Sequence, residues 1–144
     1  MSSIKIQCLP EGYKLIKGTP DASAFDIRSP VNFEVRKGVV TKVPLGIKSE
    51  IPKGMVGLIE PRSGLGSKGL HIANVAGVID TDYRGEWMAK LTLADFAEDE
   101  AMYFDDGDRI LQVAFVHICN ELEYVDQLSD TERGAGSYGS SGVK

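Results

Sequence analysis

Apolar and polar side chains alternate along most of the chain, and a period of two predicts β-strands rather than helices. Ile4-Lys5-Ile6-Gln7-Cys8-Leu9 alternates and then meets Pro10 and Gly12. Phe33 and Val35 alternate with Asn32, Glu34 and Arg36, and the β-branched stretch from Val39 to Val43 stops at Pro44. Ile47 and Ile51 flank charged residues ahead of Pro52-Lys53-Gly54. Met55-Val56-Gly57-Leu58-Ile59 is the pattern of a buried strand, and Pro61 closes it. Val75 to Ile79 and Trp87 to Leu93 predict the two arms of a hairpin around Asp80-Thr81-Asp82-Tyr83. Further strands are expected at Met102 and Phe104, from Ile110 to Ile118, and from Glu121 to Val125. Turn residues recur roughly every eight to twelve positions, the spacing of a sandwich or barrel. The best helical candidate is short, Ser63 to Ser67 behind Pro61, and there are no internal repeats.

The pattern changes after Val125. Residues 126–144 hold almost no aliphatic side chains and are dense in glycine and serine. Such a segment builds no core. It is either a disordered tail or a flexible arm that orders over a ligand. The expected organisation is therefore an all-β domain over residues 1–125 and an arm over 126–144.

Composition narrows the classes. At 144 residues the chain is one domain, long enough to bury a core without staples. With 42% hydrophobic and 26% charged residues it is not a disordered chain. No apolar run is long enough for a membrane span, and the N-terminus lacks the apolar core of a secretory signal. Cys8 and Cys119 make no disulfide framework, and with His71 and His117 they make no zinc finger, so both read as reduced, buried thiols of a cytosolic protein. The formal charge of −5 argues against a nucleic-acid surface. It leaves room for a small anionic ligand held by local arginines.

Five segments carry candidate chemistry. Ala22-Ser23-Ala24-Phe25-Asp26-Ile27 sets one carboxylate among small residues. Pro61-Arg62-Ser63-Gly64 follows a strand and opens a helical turn, which reads either as an anion site or as a solvated arginine at a strand end. Gly77-Val78-Ile79-Asp80-Thr81-Asp82-Tyr83 gathers two carboxylates and a tyrosine. The plain reading is an Asx turn; the sharper one is a general base, Asp80, desolvated by the apolar residues before it. Gly107-Asp108-Arg109-Ile110-Leu111-Gln112 is a turn entering a strand. Gly134-Ala135-Gly136-Ser137-Tyr138-Gly139 matches a dinucleotide fingerprint, but no helix follows it and no βαβ unit contains it, so that reading fails. Its glycines, with Arg133, Ser140 and Ser141, can still present amides, hydroxyls and a guanidinium to phosphate oxygens. Gly64-Leu65-Gly66-Ser67-Lys68 is not a Walker A loop, because Lys68 follows Ser67 rather than preceding it.

In this order and spacing, the five segments resemble the five motifs of the trimeric dUTPase family, and the resemblance covers about residues 22 to 142. It implies a β jelly-roll protomer, a homotrimer whose three active sites each draw on three chains, and Mg²⁺-dependent hydrolysis of dUTP to dUMP and pyrophosphate by attack of water at the α-phosphorus. Asp80 would orient and deprotonate the water. Tyr83 would pack on the deoxyribose and leave no room for a 2′-hydroxyl. Asn74 and the backbone of Gly77, Val78 and Ile79 would read the uracil, with Met88 nearby. Arg62, Ser63, Gly64 and Gln112 would serve the phosphates, and Asp26 would act through metal-bound water rather than as a direct ligand. Arg109 would be structural. From the arm, Arg133, Tyr138, Gly139, Ser140 and Ser141 would close over the substrate. Ala24, Ser137, Tyr138 and Ser141 depart from the commonest residues of those motifs. A dCTP deaminase-like or bifunctional relative and a nucleotide-binding regulatory module are the alternatives. The location implied is the cytoplasm, or the host cytoplasm for a viral protein, with no nucleic-acid or membrane partner.

Overall fold

A computed structural model describes residues 3–139 and 141–143. In chain order it contains β1 (Lys5–Cys8), β2 (Phe25–Arg28), β3 (Phe33–Arg36), β4 (Thr41–Pro44), β5 (Ile47–Glu50), β6 (Met55–Pro61), one helical turn α1 (Ser63–Gly66), β7 (Leu70–Ile72), β8 (Gly77–Ile79), β9 (Met88–Leu93), β10 (Ala101–Phe104) and β11 (Arg109–His117). The strands form a four-stranded sheet in the order β2-β11-β6-β8, a three-stranded sheet β4-β9-β7, and the pairs β1-β5 and β10-β3. Every pairing between these strands is antiparallel, and an isolated parallel bridge joins Lys37 to Leu93. No described helix is long and apolar enough to cross a membrane.

The alternating pattern explains the layers. In β9, Ala89, Leu91 and Leu93 point inward while Met88 and Lys90 are exposed. In β11, which runs between β2 and β6, Ile110, Leu111 and Val113 are all fully buried, and a register shift against β2 between Arg109 and Leu111 breaks the alternation where two consecutive side chains turn inward. They pack into one core with Ile27, Val35, Leu45, Ile47, Ile59, Leu70 and Trp87. Burying each such aliphatic side chain contributes about 1.5–3 kcal/mol. Trp87, also fully buried, donates its indole N–H to Ser49 Oγ at 3.1 Å, which satisfies the one polar atom that its burial would otherwise orphan.

Three expectations need correction. Val75–Ile79 and Trp87–Leu93 are not paired arms: β8 pairs β6, and β9 pairs β7 and β4. The chain is redirected at Asn74–Ala76, where Val75 adopts φ 73°, a left-handed conformation that is costly for a β-branched residue. Gly77 then lets β8 approach β6 closely, since a Cβ there would stand 3.0 Å from Ile59 Cβ. Glu121–Val125 forms no strand, because its alternation finds no partner among the described residues; Leu122 and Tyr124 are 80% and 92% exposed. Both cysteines are exposed rather than buried. Cys8 closes a strand with only one neighbour, and Cys119 lies just past the end of β11.

Candidate active site

Three strand ends converge on a cavity of about 640 Å³. Asp26 comes from β2, and Gln112 comes from β11, where it sits opposite Asp26 on one side and Glu60 on the other. Arg62 caps the helical turn with an extended backbone, φ −64° and ψ 145°. The turn's bonds begin with the N–H groups of Leu65 and Gly66, both donating to the Arg62 carbonyl, so the amides of Ser63 and Gly64 lie outside them. Asp26, Arg62, Ser63, Gly64 and Gln112 all line the cavity, so the structure brings together five of the residues singled out from the first, second and fourth segments.

Electrostatics organise this cavity. The Asp26 side chain is only 15% exposed, and its two oxygens meet two guanidinium groups, Arg62 Nε at 3.3 Å and an Arg109 nitrogen at 3.5 Å. Arg62 also donates to the Arg109 carbonyl at 3.3 Å. One carboxylate thus holds two cations in a fixed orientation. Lys68, just beyond α1, adds a third, and the lining is net positive although the whole chain is acidic. Lys68, Thr19 and Ser23 are lining residues that sequence reasoning missed. Lys68 was visible only as an out-of-register Walker lysine. Its signal was its place directly after a Pro-initiated turn that follows a buried strand. Arg109, expected to be structural, pairs with Asp26 and lines the cavity as well.

The second group stands apart. Asp80 follows β8 and is exposed. The apolar walls expected around it are only half present, because strand alternation buries Ile79 and leaves Val78 57% exposed. Tyr83 N–H donates to the Asp80 carbonyl at 3.3 Å, and Tyr83 Oη donates to the Glu86 carbonyl at 2.8 Å, which folds the ring back over Gly85. Asn74 Nδ2 donates to the Ala76 carbonyl at 3.2 Å. Met88 opens β9. None of these residues lines the cavity.

The strand register gives the separation. Ile59 is opposite Gly77 and Gly57 is opposite Ile79, so Asp80 stands near the level of Val56, six positions from Arg62. At about 3.3 Å per residue, that is about 20 Å.

The described residues of the arm do not line the cavity within this chain. Arg133 Nε donates to the Gly136 carbonyl at 2.8 Å, and Tyr138 is fully exposed. Gly139 has φ 80°, and Ser141 sits beside Thr131, Glu132 and Arg133. Ser140 lies outside the described residues.

A family model, dUTPase, matches residues 13–142. This chain belongs to the dUTPase family. Among its relatives, the deoxyuridine 5′-triphosphate nucleotidohydrolase of Desulfitobacterium hafniense is 40% identical over 130 residues, covering 87% of this chain and 84% of that protein. The enzyme of the same name from Rhodococcus erythropolis is 41% identical over 125 residues, covering 85% and 75%. The match to the Cutibacterium acnes enzyme, 45% identical over 92 residues, spans 62% of this chain and 59% of that protein. A solved dUTPase mutant of Staphylococcus bacteriophage 80alpha, with dUpNHpp, superposes with a TM-score of 0.85 at 25% identity and covers 99% of this chain and 100% of that one. The fold is accordingly the β jelly roll of the dUTPases, and membership makes the chain a hydrolase of deoxyuridine 5′-triphosphate. These likenesses favour dUTP hydrolysis over the deaminase and regulatory-module alternatives.

Proposed function

We propose that this dUTPase cleaves dUTP between the α- and β-phosphates, giving dUMP and pyrophosphate, at sites shared between the chains of a homotrimer. One observation carries the reading. A net-positive cavity built for phosphates and an exposed carboxylate suited to activating water lie about 20 Å apart on one chain. That separation supports a site to which another copy supplies one of them.

In such a site, Arg62, Ser63, Gly64 and Gln112 bind the phosphate oxygens, and the charge that moves onto the leaving pyrophosphate is stabilised by donors already in place. Asp80 accepts a proton from the in-line water. The Tyr83 ring lies against the deoxyribose and bars a 2′-hydroxyl. Asn74 with the backbone of Gly77, Val78 and Ile79 reads the uracil edge, and Met88 borders it. The arm over residues 126–144 closes from above, with Arg133, Gly139, Ser140 and Ser141 on the terminal phosphate and Tyr138 stacked on the base.

Magnesium fits the donor set. Among the described residues no group of three or more His, Cys, Asp or Glu side chains forms a protein cage. A few oxygens beside a phosphate site suit this ion, which keeps several waters of its own. Asp26 and Gln112 would hold it through those waters, and when bound it neutralises triphosphate charge. A dUTPase from phage phi11 of S. aureus, 21% identical and sharing the fold with a TM-score of 0.75, is described with a coordinated structural Mg(II). The proposed setting is the cytoplasm, a reading supported by the substrate and by bacterial and phage relatives, where the reaction removes dUTP ahead of DNA synthesis and supplies dUMP.

The test is pyrophosphate release from dUTP as sole substrate. The parent protein is expected to turn over dUTP. Asp80→Asn is expected to keep KM and lose about a hundredfold or more in kcat. A parent that releases ammonia from dCTP, or an Asp80→Asn variant with normal turnover, would refute the assignment.

A further inference from the structure

The loop from Ile79 to Trp87 is held firmly at its two ends. Ile79 belongs to β8, and Trp87 is buried, donating through its backbone N–H to Ile47 at 2.8 Å and through its indole to Ser49. Next to it, the Glu86 carboxylate accepts the Gly46 N–H at 3.0 Å. The middle of the loop, Asp80 to Arg84, is different. Its side chains are largely exposed, and among the described residues one hydrogen bond ties it to another element. That bond runs from an Arg84 terminal nitrogen to the Ser49 carbonyl of β5, at 3.2 Å. The same nitrogen lies 2.7 Å from the Thr81 carbonyl and 3.4 Å from the Tyr83 carbonyl.

We propose that Arg84 is the positioning residue of this loop. Its guanidinium gathers the carbonyls of Thr81 and Tyr83 onto β5 and so sets where the Asp80 carboxylate and the Tyr83 ring stand. Thr81 directly follows Asp80, and the Tyr83 carbonyl belongs to the same residue as the ring, so each group lies in an anchored residue or next to one. The anchor itself does not move, because Ser49 is buried and is tied a second time through its hydroxyl to Trp87. The charged donor strengthens the contacts to neutral carbonyls. Arg84 lies too far along the loop's outer side, in a groove with Lys5, Gln7, Lys48 and Glu50, to be counted among the cavity residues.

The inference rests on the roles given above to Asp80 and Tyr83, and the experiment separates the two. Arg84→Met keeps the length of the apolar stem and removes the donors; Arg84→Lys restores a donor on a shorter reach. For the folded Arg84→Met protein, kcat on dUTP is expected to fall about ten- to a hundredfold, the size of effect a displacement near 1 Å produces. The preference for dUTP over UTP is expected to fall about tenfold with it. Arg84→Lys should recover most of both. Amide hydrogen exchange at Thr81, Asp82 and Tyr83 should quicken in Arg84→Met and return toward the parent rate in Arg84→Lys. A purely structural arginine would lower the melting temperature and leave the dUTP/UTP preference of the folded enzyme unchanged, and that result would overturn the proposal. So would unaltered exchange, or failure of both Arg84→Met and a second variant, Arg84→Gln, to fold. A parent protein inactive on dUTP would instead refute the assigned reaction, while the exchange data would still report whether Arg84 holds the loop.

Discussion

A Cβ on Gly85 would stand 2.5 Å from the Tyr83 hydroxyl oxygen and 2.7 Å from the ring carbon that bears it. The ring lies where it does because residue 85 has no side chain. Gly85→Ala is therefore expected to push the ring outward and break its bond to the Glu86 carbonyl, and so to raise UTP hydrolysis relative to dUTP several-fold with little loss of fold. Steady-state kinetics on the two nucleotides would check it, and an unchanged ratio would mean that the sugar is read elsewhere. The sequence made Asp80 and Tyr83 recognisable as a pair of residue types at a turn. It did not show how they are held, because Arg84 works through backbone carbonyls of residues 49, 81 and 83, which no spacing of side chains reveals. Nor did it show the exposure of Asp80, because an apolar dipeptide before a carboxylate looks like a wall until alternation sends Val78 outward.

Elements carry their own titration. Glu34 on β3 faces Tyr103 on β10, and Arg36 binds the Glu34 carboxylate at 3.0 and 3.3 Å while donating to the Tyr103 hydroxyl at 3.2 Å. The hydrogen bond from Arg36 holds the Glu34 carboxyl below its ordinary value of 4.5. Across the turn at the other end of β10, the hydrogen bond to Asp106 pushes the Tyr13 phenol above its ordinary 10.0. The signs follow from linkage. Glu34 contributes stability that is complete above the usual glutamate range and is lost as pH falls through its lowered folded value. Tyr13 contributes stability that is complete below 10.0 and is lost as pH rises through its raised value. In Arg36→Ala, NMR titration should find Glu34 back near 4.5, and the acid limb of the stability profile should become shallower. An unmoved Glu34 would refute the pairing. At this scale most strands were legible from alternation and prolines. The partner of β8 was not, because the redirection depends on one residue, Val75, in a backbone conformation that its side chain disfavours.

For the molecule as a whole, an acidic protein carries a basic recess at one end of β6, while Asp80 stands near the level of the other end. The exposure of the described tail residues was legible from their composition, and the residues lining the cavity from their motifs. The distance between the cavity and Asp80 was not, since it is a property of strand register alone. That distance has a genetic consequence. Asp80→Asn and Arg62→Ala are expected to be inactive when each is purified alone. Refolded together in equal amounts, they form hybrids in which some sites draw an intact carboxylate from one parent and an intact cavity from the other. Random mixing in a closed ring gives about a quarter of the parental turnover, and no recovery would put both groups in one chain's site. Two alleles that each abolish function would thus rescue one another in the same cell, and the unit on which selection acts would be the assembly rather than the polypeptide.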